Sequence, residues 1–170
     1  MTASACGSNS GNGAIPVGRT PVHVALPAGP NPSTSATMVC AKEAQRELAN
    51  VLGRSPVSVS APAWVNHLYT CRYVYSDGVF VLSVKEFFNK PQTTAYFTML
   101  GTDMGRTGSL SGLGQGAFTT TNGDAVVRKD YKVLLVDISG LPAHFGVPPT
   151  SRSDIAVTIA DVIMGCWTGS

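Results

Sequence analysis

The sequence predicts an α+β domain: a mostly antiparallel sheet of about five to six strands with helices packed on one face. Three segments place apolar residues at helical spacing. Asp-Gly and Asn-Gly dipeptides separate apolar runs, as is typical of tight β-hairpins. Hairpins join antiparallel neighbours, and an amphipathic helix needs a layer that covers its apolar face. A sheet with helices on one face is therefore the expected architecture.

Three segments carry the helical pattern. The first, TMVCAKEAQRELANVLG, ends at Gly53, a residue suited to the position after a helix. The second follows Asn89, an expected N-cap, and has Pro91 in its first turn. The third follows Ser151, with Asp154 three residues later in the spacing of a capping box. Its apolar stripe consists of Ile155, Ile159, Val162, Ile163 and Cys166.

Strands are predicted around two turns. LYTCRYVYSDGVFVLSVKEF indicates a hairpin whose Asp77-Gly78 turn would be of type I′, with positive φ at both residues. Asn122-Gly123 indicates a second hairpin, followed by an apolar strand over Tyr131–Ser139. The glycine-rich segment 105–116 is expected to be a flexible connection.

Composition limits the class of protein. The chain has 170 residues, enough for a tether over residues 1–35 and one domain over 36–170. VHVAL, residues 22–26, is a possible short docking strand within that tether. Charged residues are 13%, against about 25% in typical domains. The net charge is +2 and the basic residues are scattered, so no nucleic-acid partner is expected.

No residue pattern points to catalysis or to a cofactor. His23, His67 and His144 have no acidic residue at a fixed helical offset, and no G-x-S-x-G motif is present. The glycines of 112–116 differ in spacing from the dinucleotide motif and are expected to form a turn. The four cysteines form no C-x-x-C pair. We therefore expect a protein that is not an enzyme, with no catalytic residue, no metal and no cofactor.

Several short motifs follow one another in a suggestive order. Cys40 opens the first helix, VLG (51–53) closes it, and CRY (71–73) lies on the first hairpin strand. SGLGQGAF (111–118) precedes the second hairpin, and an amphipathic helix comes last. In this order the chain resembles the actinobacterial envelope lipoproteins of the DUF3558 type and their relatives with a Mog1/PsbP-like fold.

The resemblance covers roughly residues 36–166, with two departures. Gln115 stands where an acidic residue is usual, and GCW (165–167) is not part of the family pattern. The resemblance implies a fold and a location in the cell envelope. It implies no established activity.

Cys6 is the predicted lipidation site. Ala3-Ser4-Ala5-Cys6 is similar to the end of a bacterial lipobox, in which the cysteine thiol carries a diacylglycerol. Leucine is commoner than Ala3 at its position, and the apolar stretch of a signal peptide does not precede the motif. The polar residues after Cys6 suit a tether. The alternative is a cysteine of no function in the chain end.

The other three cysteines allow several states. In an oxidising compartment one pair is expected. The favoured disulfide is Cys40–Cys71, which would join the first helix to the first hairpin strand and leave Cys166 unpaired. A disulfide that uses Cys166 is an alternative, and so are three buried thiols.

Together these observations predict a non-enzymatic lipoprotein, extracytoplasmic and anchored by its lipid to the outer face of the cell membrane. It would act as a binding or accessory module for a protein or lipid partner. One alternative is a carrier of an apolar envelope lipid in a cavity between sheet and helices. The other is an envelope hydrolase.

The aromatic residues of the middle third suggest a core, a ligand cavity or, where exposed, a partner surface: Trp64, Tyr69, Tyr73, Tyr75, Phe87, Phe88, Tyr96 and Phe97.

Overall fold

The computed structural model describes residues 25–167 and confirms the α+β class. The helices are α1 (Thr34–Met38), α2 (Lys42–Leu52), α3 (Lys90–Asp103) and α4 (Arg152–Trp167). The strands are β1 (Ser58–Val59), β2 (Ala63–Val65), β3 (Leu68–Tyr75), β4 (Gly78–Glu86), β5 (Arg106–Leu110), β6 (Gly116–Thr120), β7 (Ala125–Lys129), β8 (Lys132–Asp137), β9 (His144–Phe145) and β10 (Thr150–Ser151).

One antiparallel sheet of eight strands organises the domain. Its order is β1-β3-β4-β8-β7-β6-β5, and β2 pairs with β3 beside β1. The sheet therefore has more strands than the five or six expected, because the short β1 and β2 and the glycine-rich β5 also belong to it. β9 and β10 form a separate two-stranded ladder.

The helices cover both faces of the sheet, whereas the sequence predicted one. α1, α2 and α4 contribute to the larger core on one face. α3 packs on the other face, where Phe97 and Leu100 contact Phe118, Val126 and Val133. Strands β7 and β8 are continuous apolar runs, AVV and VLLV, and such runs indicate strands that are covered on both sides.

The first predicted helix is interrupted. α1 begins after Ser33, whose side chain caps the Ala36 amide, and α2 begins at Lys42. The Val39 carbonyl accepts a hydrogen bond of 2.7 Å from the Tyr73 hydroxyl. A continuous helix would use that carbonyl internally, so the bond to β3 favours a break. Gly53 ends α2 with φ of 62°, as predicted.

The hairpin turns differ in detail from the expectation. β3 and β4 pair up to Tyr75 opposite Gly78, so the turn residues are Ser76 and Asp77. Neither of them has positive φ, so the predicted type I′ turn at Asp77-Gly78 is wrong although the hairpin is present. Glycine is needed at 78 because an added Cβ would lie 2.9 Å from the Gly140 carbonyl oxygen.

The remaining predicted boundaries agree with the structure. Asn89 accepts a hydrogen bond of 2.9 Å from the Gln92 amide and caps α3. Ser151 accepts one of 3.2 Å from the Asp154 amide and caps α4. The segment predicted to be a flexible connection contains β5, which pairs with β6. Among the residues described, no helix is both long and apolar enough to cross a bilayer.

Candidate functional site

The candidate site is an aromatic surface formed by Trp64, His67 and Phe88. Trp64 lies on β2, His67 in the turn to β3, and Phe88 two residues beyond β4. The His67 imidazole stands between two rings, edge-on to both. Its centroid is 5.6 Å from that of Trp64 and 5.0 Å from that of Phe88.

The turn that carries this surface has an unusual backbone. Val65 pairs with Leu68, and the two residues between them, Asn66 and His67, have φ of 51° and 59°. Positive φ at both central residues defines a type I′ turn, for which Asn-Gly is the preferred sequence. A side chain in this conformation costs about 1–2 kcal/mol. The histidine is therefore present for its side chain and not for its backbone.

Neighbouring elements hold the turn in place. The Glu86 amide donates a hydrogen bond of 2.9 Å to the His67 carbonyl, and the Lys85 ammonium contacts the Asn66 carbonyl. The Trp64 indole donates one of 3.1 Å to the Pro30 carbonyl. These contacts join the segment around Pro30, the β2–β3 hairpin and the end of β4. The aromatic surface is thus fixed by three separate segments of the chain.

Part of this surface faces solvent. Phe88 is 57% exposed, whereas Trp64 and His67 are half-buried. The His67 Nδ1 atom is buried and has no hydrogen-bond partner among the described residues. An exposed aromatic ring packed beside two half-buried rings suits a surface that contacts a partner.

A disulfide involves the same strand, β3. Cys40 and Cys71 are bonded to each other, with Cα atoms 5.6 Å apart and a sequence separation of 31 residues. This confirms the predicted pair. It joins the α1–α2 junction to the centre of β3 and closes a loop that stabilises the fold by roughly 3–4 kcal/mol in the chain-entropy model.

Cys166 is also disulfide-bonded, so the expectation that it is unpaired is wrong. Burial on the α4 stripe was visible in the sequence, but burial suits a disulfide as well as a thiol. Cys6, the predicted lipidation site, lies outside the described residues, as do His23 and most of VHVAL.

A cavity of about 590 Å³ lies at one end of the sheet. It is bordered by the segment 25–35, by the ends of β4, β7 and β8, and by Trp167. Glu86 and Lys132 in its wall are both buried, and the Ser33 amide donates a hydrogen bond of 3.1 Å to Glu86. The expected lipid cavity was between sheet and helices. This one combines apolar and charged groups at the sheet end, so the carrier function stays a prediction.

The histidines of the described chain occupy different places. His67 lies between Trp64 and Phe88, and His144 is an exposed residue of β9. Within residues 25–167, no group of three or more His, Cys, Asp or Glu side chains is arranged to hold a metal ion.

The sequence identified Trp64 and Phe88 among the aromatic residues of interest. It did not predict that they form one surface with His67. The signal that could have found the turn is VNHL, residues 65–68. Asparagine is favoured at the first of the two central residues of such a turn, the position of Asn66. Its second residue is not glycine, so the pattern did not stand out. The exposure of Phe88 depends on where α3 begins, which no local pattern near residue 64 indicates.

Comparison with known proteins gave no match to a family model, to a curated protein or to a solved structure. The resemblance to envelope lipoproteins therefore stays an expectation that rests on the motif order alone.

Proposed function

We propose that the chain is an exported, non-enzymatic domain of the bacterial cell envelope that binds a protein partner through the aromatic surface. The observation that carries the proposal is the Trp64–His67–Phe88 ring cluster, in which Phe88 is exposed and His67 lies in a turn whose backbone favours glycine. Glycine at 67 would remove the cost of positive φ but would also remove the ring contacts with Trp64 and Phe88. The imidazole instead fills the space between two rings and makes one continuous apolar surface.

The Cys40–Cys71 disulfide supports the exported location. Disulfides persist in oxidising compartments and are rare in the cytosol of most cells. Cys71 is fully buried in the core of the domain, which makes it poorly accessible to reducing proteins. A structural disulfide of this kind is typical of a secreted or envelope protein.

The binding role can be tested with one pair of matched variants. Val57 is 74% exposed and lies beyond β1, whose partners are Tyr73 and Val74 at the far end of β3 from the aromatic surface. We expect the Phe88→Ser variant, expressed with an affinity tag in the native host, to lose a protein that the wild type retains. Val57→Ser is the control and should retain it.

Recovery of the same proteins with all three chains would contradict the binding role. The exported location is tested separately, by treating intact cells with a thiol reagent that does not cross the membrane and digesting the protein without reduction. The proposal expects Cys40 and Cys71 in one linked peptide pair. Free thiols at both positions would place the chain in a reducing compartment.

A further inference from the structure

Three charged residues lie in one row across the sheet and line the cavity at its end. Lys132 on β8 is the register partner of Glu86 on β4 and of Lys129 on β7. Side chains directly opposite one another in antiparallel strands lie on the same face. The cavity of about 590 Å³ that they border has the size of a small-molecule site, for which roughly 300–1,000 Å³ is usual.

The acidic groups of this wall have partners, and the basic groups do not. The Ser33 amide and hydroxyl both donate to Glu86 Oε1, and Gln115 donates a hydrogen bond of 3.0 Å to Asp130, the other acidic residue at the cavity. Lys132 is only 7% exposed, yet its ammonium has no hydrogen bond or ion pair with any of residues 25–167. A buried ammonium without a partner destabilises a fold. Lys132 therefore lacks the acceptor that its burial requires.

We propose that the cavity binds a small molecule with one carboxylate and an apolar body, and that Lys132 and Lys129 hold the carboxylate. The two lysines are direct register partners, and like charges in that arrangement repel each other. A carboxylate between them offsets this repulsion and supplies charge-assisted hydrogen bonds to both ammonium groups. Glu86 and Asp130 border the same space and disfavour a second negative charge, so a carboxylate suits the cavity better than a phosphate dianion.

The apolar residues at the cavity account for the rest of the ligand. Leu26 and Pro27 line it together with Trp167, and Leu26 is 70% exposed. An alkyl or aromatic body bound beside Leu26 would remove this apolar surface from water, which favours binding. None of the three rings of the aromatic surface lines the cavity, so this proposal and the proposed protein partner can fail independently.

Isothermal titration calorimetry of the full chain with octanoate tests the site at neutral pH. We expect Lys132→Met to bind octanoate roughly tenfold or more weakly than the wild type, because a charge-assisted hydrogen bond is lost. Lys129→Met should show a smaller loss in the same direction. Lys90→Met is the matched control and should bind like the wild type, since Lys90 is an exposed lysine that does not line the cavity.

Thermal melting of the same variants gives a second readout. Without ligand, Lys132→Met should melt at or above the temperature of the wild type, because the substitution removes a buried charge that has no partner. Octanoate should raise the melting temperature of the wild type and of Lys90→Met, but not that of Lys132→Met. A lower melting temperature for Lys132→Met without ligand would overturn the argument that its ammonium lacks an acceptor.

Three further probes test each part of the ligand: acetate lacks the apolar body, octanol lacks the charge, and octyl phosphate carries more than one charge. All three should bind more weakly than octanoate. The proposal is overturned if octanoate does not bind the wild type, if Lys132→Met and Lys90→Met bind it equally, or if any of the three probes binds as tightly as octanoate.

Discussion

Two tyrosines of β3 show how single polar atoms affect this core. Tyr73 and Tyr75 are both buried on the same face, next to Phe80. The Tyr73 hydroxyl donates to the Val39 carbonyl, whereas the Tyr75 hydroxyl is buried with no partner among the described residues. A buried polar group without a partner destabilises a fold. The two hydroxyls therefore have opposite effects on stability.

This difference predicts opposite results for one substitution. Tyr73→Phe leaves a buried carbonyl unpaired and should lower the free energy of unfolding by about 1–3 kcal/mol. Tyr75→Phe removes an unpaired hydroxyl and should leave it unchanged or raise it by about 1 kcal/mol. Urea denaturation of the two variants, each the control of the other, measures the difference. Equal losses in both would contradict this account of the two hydroxyls.

The same hydroxyls predict a loss of stability at alkaline pH. Burial raises the pKa of Tyr75 to about 12, partly offset by Arg54, and burial raises the pKa of Tyr73 further still. An unfolded tyrosine titrates near pH 10. The two buried, neutral hydroxyls therefore contribute fully to the free energy of unfolding below about pH 10. This contribution is lost as the pH rises toward the pKa values of the folded protein. Denaturation midpoints should fall more steeply above pH 10 in the wild type than in Tyr75→Phe, and parallel slopes would refute this.

His67 gives a prediction about backbone strain. Ala at 67 keeps the cost of positive φ and loses the ring contacts, whereas Gly loses the contacts and removes the cost. We expect His67→Gly to be more stable to urea than His67→Ala by about 1 kcal/mol. Both variants should bind the partner of the aromatic surface less well than the wild type. Equal stability of the two variants would show that the turn is not strained.

At the scale of secondary structure, two glycines have opposite requirements. Gly78 starts β4 against the Gly140 loop, where an added Cβ would meet backbone atoms at 2.9 Å and 3.2 Å. Gly165 is in α4, and an added Cβ there would meet no atom of residues 25–167 within 4 Å. Gly78→Ala should therefore destabilise the protein by about 1–3 kcal/mol. Gly165→Ala should stabilise it by about 0.5–1 kcal/mol, since alanine is the better helix former.

Thermal melting of the two variants checks this prediction. A higher melting temperature for both variants would mean that the loop at Gly140 moves away from β4 easily. A lower melting temperature for both variants would mean that the end of α4 requires glycine at 165 for a reason that the contacts of the described residues do not show.

Most elements could be predicted from local patterns, because caps and periodicity are local. Asn89, Ser151 and Gly53 mark helix ends by their own hydrogen bonds or backbone conformation. The break before α2 could not be predicted, because its cause is a hydrogen bond from Tyr73, 34 residues away. The exact turn of the β3–β4 hairpin also depends on a distant contact, the approach of Gly140 to Gly78.

At the scale of the whole molecule, the covering of both sheet faces was not predicted. α3 is amphipathic only weakly by sequence, and its packing on β7 and β8 follows from the apolar side chains on both sides of those strands. The Cys40–Cys71 disulfide was predicted because its two residues lie on elements that adjoin along the chain. The bonded state of Cys166 was not, because a buried position on a helix suits a thiol as well as a disulfide.

Photocrosslinking in the native host tests the binding role of the aromatic surface most directly. p-Benzoylphenylalanine would replace Phe88 in one variant and, in another, Val57, which is also exposed and lies near the far end of β3. Irradiation should give one discrete adduct, of the same mass in repeated cultures, from position 88 and none from position 57. No adduct from position 88, or the same adducts from both positions, would contradict the proposal that this surface binds a protein partner.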